Sequence, residues 1–443
     1  MDARRRRRIA ARVAGVVVAA GIVLAGSYVL LGTGGHDATG DGNAATQGDK
    51  TAAAGSGVAS TTVARVKDTP GLDPELAVIA VPLGTQTVTP EVSGKLIGAQ
   101  GGTPVQLGPR GKPGMTLDPF GSRATMLTTD GQKLVYHFWR HLREFPTEAP
   151  GDPVVAEGTP LFTPTIRALD LATGEDSVLV SGARSFALRA DGMFAYAEGV
   201  EPDYRYDMPY LQRIVVRKGL DGPPQVWTTK EDRYTVLQWA RGSLFVHREP
   251  VGGEPELLVL DGPGKVRPVL PHGEQFICTS SDGSRILTWT GGAGTPDPLV
   301  LHLVEWQGGK HVSSLTLDGL HDPSTGELDP GIAITDGSWE GDRVVVSLNV
   351  GGLALLSAKG DELALEKVVT FSYPQADLSS VADVELSGSG NQVFAVTWEG
   401  PDVDTQDHTA VLTYDLAGGE CSRWISPGAR ALVCLVSNPS RPR

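Results

Sequence analysis

Two short stretches concentrate side chains that could hold a ligand. Asp203-Tyr204-Arg205-Tyr206-Asp207-Met208-Pro209-Tyr210 sets three tyrosines and two carboxylates within eight residues. Rigid amphipathic rings of this kind supply contact area at protein interfaces. Asp203, Tyr204, Tyr206, Asp207 and Tyr210 are therefore candidate contact residues; the alternative is that the rings pin the loop to its own scaffold. Asp402-Val403-Asp404-Thr405-Gln406-Asp407 places three carboxylates within six residues. Calcium wants such oxygen donors, yet the glycine and the terminal bidentate glutamate of an EF-hand loop are missing. Asp402, Asp404 and Asp407 are read first as an acidic contact surface, with Ca²⁺ as a lesser reading and no other cofactor expected.

Catalytic spacings are absent. There is no HExxH, no G-x-S-x-G elbow, and no Walker or GxGxxG loop. His137 and His141 are four apart, but they flank a strand-like run, where that spacing does not converge on a metal. Three cysteines without a CxxC pair exclude a disulfide-dense scaffold and suggest neither zinc nor thioredoxin-like chemistry. The chain reads as a binding protein rather than an enzyme. The alternative is a hydrolase or lyase whose site assembles across repeats.

These stretches must be positioned by something, and the body of the chain is a repeat. A small apolar strand, a polar tight turn and a second strand rich in β-branched and aromatic residues recur. Thr128-Thr129-Asp130-Gly131, Arg189-Ala190-Asp191-Gly192 and Ser280-Ser281-Asp282-Gly283 are the clearest turns. Trp239-Ala240-Arg241-Gly242 and Ser387-Gly388-Ser389-Gly390-Asn391 are weaker copies, and a longer variant turns near Gly341-Asp342. Asp-Gly between strands signals a hairpin because the turn needs positive φ. A second hairpin follows each, at 166–180, 213–228, 257–270, 300–315, 353–369 and 410–425, giving six four-stranded units. Strand-like runs at 76–107 pair in this reading with Ala431–Val436, so that the chain's two ends build a seventh unit. A ring closed this way removes exposed sheet edges. The expected fold is all-β: one seven-bladed β-propeller over 74–443, with six or eight blades as alternatives.

The small-polar-Asp-Gly turn repeats resemble those of TolB-type and WD40-like propellers across most of 74–438. No Trp-Asp dipeptide occurs, and the Gly-Gly doublets do not recur at one blade position, so the resemblance extends neither to true WD40 nor to kelch repeats. What it implies is a binding scaffold; it transfers no catalytic residue. In such a ring the connections between second and third strands gather on one face. Here they are long: Arg140–Phe162, Gly199–Tyr210, Glu249–Glu256, Thr290–Pro298 and Glu399–Thr409. Together they carry a net charge of −12. Long loops on a rigid scaffold are where function concentrates. The expected partner is an envelope or secreted protein, a peptide or a cationic ligand on this acidic face; solvated loops on an acidic protein are the plain alternative.

The amino terminus sets the expected location. Arg4 to Arg8 form an unbroken basic run, and Val13 to Leu31 is a stretch of 19 residues without charge. At 1.5 Å per residue it spans about 28 Å, close to a bilayer's hydrocarbon core. Positive-inside logic leaves residues 1–8 in the cytoplasm, makes 9–32 a signal-anchor helix in the plasma membrane, and places the rest outside the cell membrane. Residues 33–73, rich in Gly, Ala and Thr, read as a disordered tether. The expectation is a membrane-anchored bacterial protein. Net charge is −14 overall, and −19 beyond residue 12, which excludes a nucleic-acid-binding body. For the cysteines two readings conflict. A tight turn at Ser426–Ala429 sets Cys421 opposite Cys434 at disulfide distance, whereas ring closure puts them on different units. Twelve hairpins stand behind the ring, which favours free thiols, with Cys278 buried on an inner strand.

Overall fold

The computed structural model describes residues 55–56, 61–68, 78–82, 95–97, 115–117, 125–141, 160–200, 204–205, 211–250, 253–269, 273–292, 297–317, 332–349, 351–372, 378–399, 408–424 and 431–435. Among them, six four-stranded antiparallel meanders follow one another along the chain. The first sheet runs Thr125–Leu127, Lys133–His141, Pro160–Asp170 and Asp176–Ser181. The second is Ala183–Leu188, Met193–Gly199, Gln212–Lys218 and Gln225–Val226, and the third Arg233–Ala240, Ser243–Glu249, Glu256–Gly262 and Lys265–Pro268. The fourth comprises Gln275–Thr279, Ile286–Thr290, Val300–Glu305 and Lys310–Thr316. The fifth is Ile334–Glu340, Arg343–Leu348, Gly352–Lys359 and Glu362–Ser372, and the sixth Leu378–Leu386, Gln392–Glu399, His408–Asp415 and Cys421–Trp424.

These strands are apolar on both faces because each sheet is sandwiched between its neighbours. Along Met193–Gly199, Phe194 and Tyr196 pack toward the first sheet while Ala195 and Ala197 pack toward the third. Along Ser243–Glu249, Leu244 and Val246 face the second sheet and Phe245 faces the fourth. Val344 and Val346 join the core with the fourth sheet, Val345 that with the sixth. Strand alternation thus feeds two cores at once. At the third–fourth seam Phe245 meets the Trp306 ring edge-on at 5.1 Å. Sheets stacked face to face in chain order, each starting with an inner strand, make a β-propeller.

The inner strands are tied to one another by small polar groups. Val236 N–H donates to Ser185 Oγ (2.8 Å), Gln238 Nε2 to Thr279 Oγ1 (2.5 Å) and Leu386 N–H to Ser338 Oγ (3.0 Å). Between the fourth and fifth sheets the spacing is set by Gly337, where a Cβ would collide with Ile277 Cγ2.

The two chain ends meet as the sequence suggests. Ala431–Leu435 pairs antiparallel with Val78–Pro82, which pairs with Lys95–Ile97. Cys434 is paired in register with Ile79 in this closing sheet. Cys421, in the sixth sheet, is a free, buried thiol, so the bridge to Cys434 is not formed; burial pushes its pKa up to about 12. Cys278 likewise forms no disulfide and is buried, on the innermost strand of the fourth sheet.

One expectation is corrected. Within the segment read as a disordered tether, Gly55–Ser56 pairs parallel to the outer strand of the fourth sheet, and Thr61–Asp68 pairs parallel to the outer strands of the fifth and sixth. Ala64 and Val66 are buried there. The β-branched content of this stretch, Thr61, Thr62, Val63 and Val66, supports an edge strand once an apolar slot is available. The expected membrane helix, 9–32, lies outside the described residues. Among the described residues, no helix is long and apolar enough to cross a membrane.

Candidate functional site

An up-and-down meander puts its first-to-second and third-to-fourth turns on one face, and its second-to-third connections on the other. The turn face is built from short hydrogen-bonded turns. In each Asp-Gly copy the glycine N–H donates back three residues: Gly131 to Thr128 O, Gly192 to Arg189 O and Gly283 to Ser280 O, all at 2.8 Å. The glycines sit at φ +68, +88 and +66, the left-handed region that explains the residue type. Asp282 accepts from Ser284 N–H and from the Ser280 and Ser284 hydroxyls, which hold its carboxyl at about 2.

Neighbouring turns then clasp each other around the ring. Thr129 Oγ1 donates to Ala190 O (3.0 Å), Arg189 to Gly242 O (3.1 Å), Arg241 Nε to Asp282 O (2.9 Å) and Arg343 to Gly390 O (2.6 Å). Arg241 also pairs with the Asp282 carboxylate at 3.2 Å. Charged groups of this face thus join neighbouring turns, while carboxylates such as Asp191 and Asp282 stay more than half exposed.

The loop face differs. Of the predicted contact residues, Tyr204 is placed by its backbone: Tyr204–Arg205 pairs antiparallel with the start of Pro160–Asp170, Tyr204 opposite Phe162. These two residues of the second sheet's long connection therefore pair with the first sheet. Asp203, Tyr206, Asp207, Tyr210, Asp402, Asp404 and Asp407 lie outside the described residues. Part of the acidic charge on this face is already engaged. Arg248 reaches Glu256 at 3.3 Å and Asp232 at 3.5 Å, and His247 stands 3.6 Å from Glu249. Burial raises the nearby Tyr234 hydroxyl to about 12.

A second polar group escaped the sequence reading. On the side of the fourth sheet facing the third, buried Glu274 accepts from Thr288 Oγ1 (2.7 Å) and meets His311 Nε2 at 2.9 Å. The His311 ring stacks on His302 at 4.8 Å. His302 in turn touches Thr290 Oγ1 through Nε2 and Ser314 Oγ through Nδ1, both at 2.9 Å. Its pKa is lowered, first by burial; Glu274 opposes the shift and His311 adds to it. A neutral imidazole suits two hydroxyls, donating to one and accepting from the other. The arrangement is not a catalytic triad. That geometry needs one imidazole between hydroxyl and carboxylate, and here the hydroxyls contact His302 while the carboxylate contacts His311. Among the described residues, no group of three His, Cys, Asp or Glu converges on a metal position. The sequence signal was hidden because the residues belong to a connection and three strands, and a register shift between Leu303 and Val304 brings His311 beside His302.

No family model matches this chain, and no curated protein does. Similar solved structures include TolB from Acinetobacter baumannii, with 13% identity over 83% of this chain and 67% of that one and a TM-score of 0.42. The β-propeller domain of the Trilobed protease from Pyrococcus furiosus is 14% identical over 82% and 98%, with a TM-score of 0.46. Oligogalacturonate lyase from Vibrio parahaemolyticus is 13% identical over 74% and 84%, also at 0.46. At these values the likeness adds no weight to the strand pairing, on which the fold rests. The chain is a β-propeller, and propellers of the TolB-type and WD40-like kinds are what it is similar to.

Proposed function

We propose that the chain is a membrane-tethered, extracytoplasmic binding scaffold, a seven-bladed ring that offers its loop face to an envelope or secreted protein, a peptide or a cationic ligand. The observation that carries this reading is the asymmetry of the two faces. Charged groups of the turn face hold neighbouring turns together, whereas the long connections opposite carry a net charge of −12. A cleft or face of one sign raises the local concentration of oppositely charged ligands. Six meanders plus a closing sheet built from Val78–Pro82, Lys95–Ile97 and Ala431–Leu435 support the seven-blade reading, since such a sheet protects the last edge. The tether reading rests on Arg4 to Arg8 followed by 19 uncharged residues.

Two experiments test the parts separately. Protease added to spheroplasts removes the body and leaves a short membrane stub; a body that stays intact, or is found free in the medium, overturns the tether. Capture of envelope proteins by the full chain falls steeply between about 50 and 200 mM salt, as the Debye length shrinks toward about 8 Å. Capture indifferent to salt overturns a charge-driven loop face.

A further inference from the structure

The perimeter of the ring is not treated evenly. The outer strand of the third sheet is short and ends in Pro268, and that of the second is only Gln225–Val226. Short strands and prolines are ordinary ways to blunt an edge. The outer strands of the fourth and fifth sheets are long, Lys310–Thr316 and Glu362–Ser372. Here the chain's own amino-terminal segment pairs with the end of each strand, at Leu315 and Thr316 and at Val368 to Ser372.

The segment also joins two sheets. Thr61 to Arg65 pair with Val368 to Ser372 of the fifth sheet, and Val66 to Asp68 pair with Cys421 to Arg423 of the sixth, both in parallel. It is wedged where two radiating sheets diverge. Ala64 and Val66 point into the core between them, beside Val369, Phe371, Tyr414 and Cys421. Without the wedge these side chains would line an open apolar slot flanked by two strand edges.

Three features make the wedge weakly held. No residue of it is paired on both sides, since the pairing passes from one sheet to the other between Arg65 and Val66. Its two inward side chains are small. Val63, by contrast, points to solvent at 63% exposure. Segments with few buried contacts and one-sided pairing open ahead of the global structure.

We propose that the slot between the outer strands of the fifth and sixth sheets is a strand-acceptor site whose resident ligand is Thr61–Asp68, and that the segment is exchangeable. The ligand class is an extended peptide with small apolar residues at alternate positions, added parallel to both edges by backbone pairing. In the intact chain the segment fills the slot at high effective concentration and keeps free peptides out.

The test uses the full chain carrying Ala64→Asp and Val66→Asp, which expels the wedge, and a fluorescent peptide of residues 59–70. The peptide binds this variant at least tenfold more tightly than it binds the natural chain or the control variant Val63→Asp. A peptide carrying the same two aspartates does not bind. Equal binding to all three chains, or none to a variant that still unfolds cooperatively, overturns the proposal. Hydrogen exchange on the unaltered chain gives an independent reading if the double variant does not fold. The amides of 62–68 exchange through a local opening, faster than those of 353–356 and 393–397. Exchange of all three segments at one common rate overturns the proposal.

Discussion

The two faces of the ring solve the same problem of joining strands in opposite ways. On the turn face, six or fewer residues close each hairpin, and arginines or hydroxyls reach the carbonyls of the next turn, as Arg241 does at Asp282 and Arg343 at Gly390. On the loop face five of the six connections run long and collect carboxylates, and among the described residues Glu256 pairs with Arg248 and Glu249 stands beside His247. One face uses its polar groups for cohesion; under the proposed function, the other offers them for contact. The difference teaches that on a propeller, stability and binding can be changed independently, provided the shared seams stay intact.

The largest expected effect breaks both faces together. Phe245→Ala empties the third–fourth seam beside Trp306 and Phe276, costing about 3–5 kcal/mol in urea unfolding. Next is Gly337→Ala, whose Cβ would strike Ile277. Overpacking there costs about 1–3 kcal/mol, read as a lowered midpoint of thermal unfolding, with no change in ligand capture by the surviving folded fraction.

Smaller changes separate the faces. Arg241→Ala removes one clasp and costs about 1 kcal/mol, leaving capture by the loop face unaltered. Asp282→Asn probes the same clasp by pH. The folded carboxyl is held at about 2, below its ordinary 3.8, so its contribution is complete above about pH 4 and is lost as pH falls through about 2. The stability difference between natural chain and variant is therefore greatest above about pH 4, falls steeply between about pH 4 and 2, and vanishes below about pH 2. Solvent screening keeps it under about 1 kcal/mol. Equal differences at both pH values would show that the hydrogen bonds to Asp282 do not depend on its charge.

Much of this organisation is legible in the sequence, for reasons that differ by region. Asp-Gly turns demand positive φ, so Asp130-Gly131, Asp191-Gly192 and Asp282-Gly283 announce their hairpins. The Arg241-Gly242 turn is the less obvious copy, and there both residues adopt positive φ, +48 and +85. The closing pair of Ala431–Leu435 with Val78–Pro82 is equally readable, because an unmatched strand at each end has few other places to go. The strap at Thr61–Asp68 was missed. Its apolar content is two small inward residues, and what orders it is a slot made by strands some 300 residues away. The Glu274, His302 and His311 group was missed because strand register, not spacing along the chain, brings them together. The tyrosine-rich stretch was recognised as a loop, but its pairing to the preceding sheet through Tyr204 depends on a neighbour that local sequence does not encode.

The most direct test of the account neutralises the two faces by equal charge. One full-length variant carries Asp402→Asn, Asp404→Asn and Asp407→Asn on the loop face; the other carries Asp130→Asn, Asp191→Asn and Asp342→Asn on the turn face. Binding of a lysine-rich peptide is measured at about 50 mM salt, where screening is weakest. The loop-face variant loses most of its binding while its stability stays within about 0.5 kcal/mol of the natural chain. The turn-face variant keeps its binding and loses stability. Equal loss of binding in both would contradict the account, because overall charge rather than a dedicated face would then be what the ligand reads.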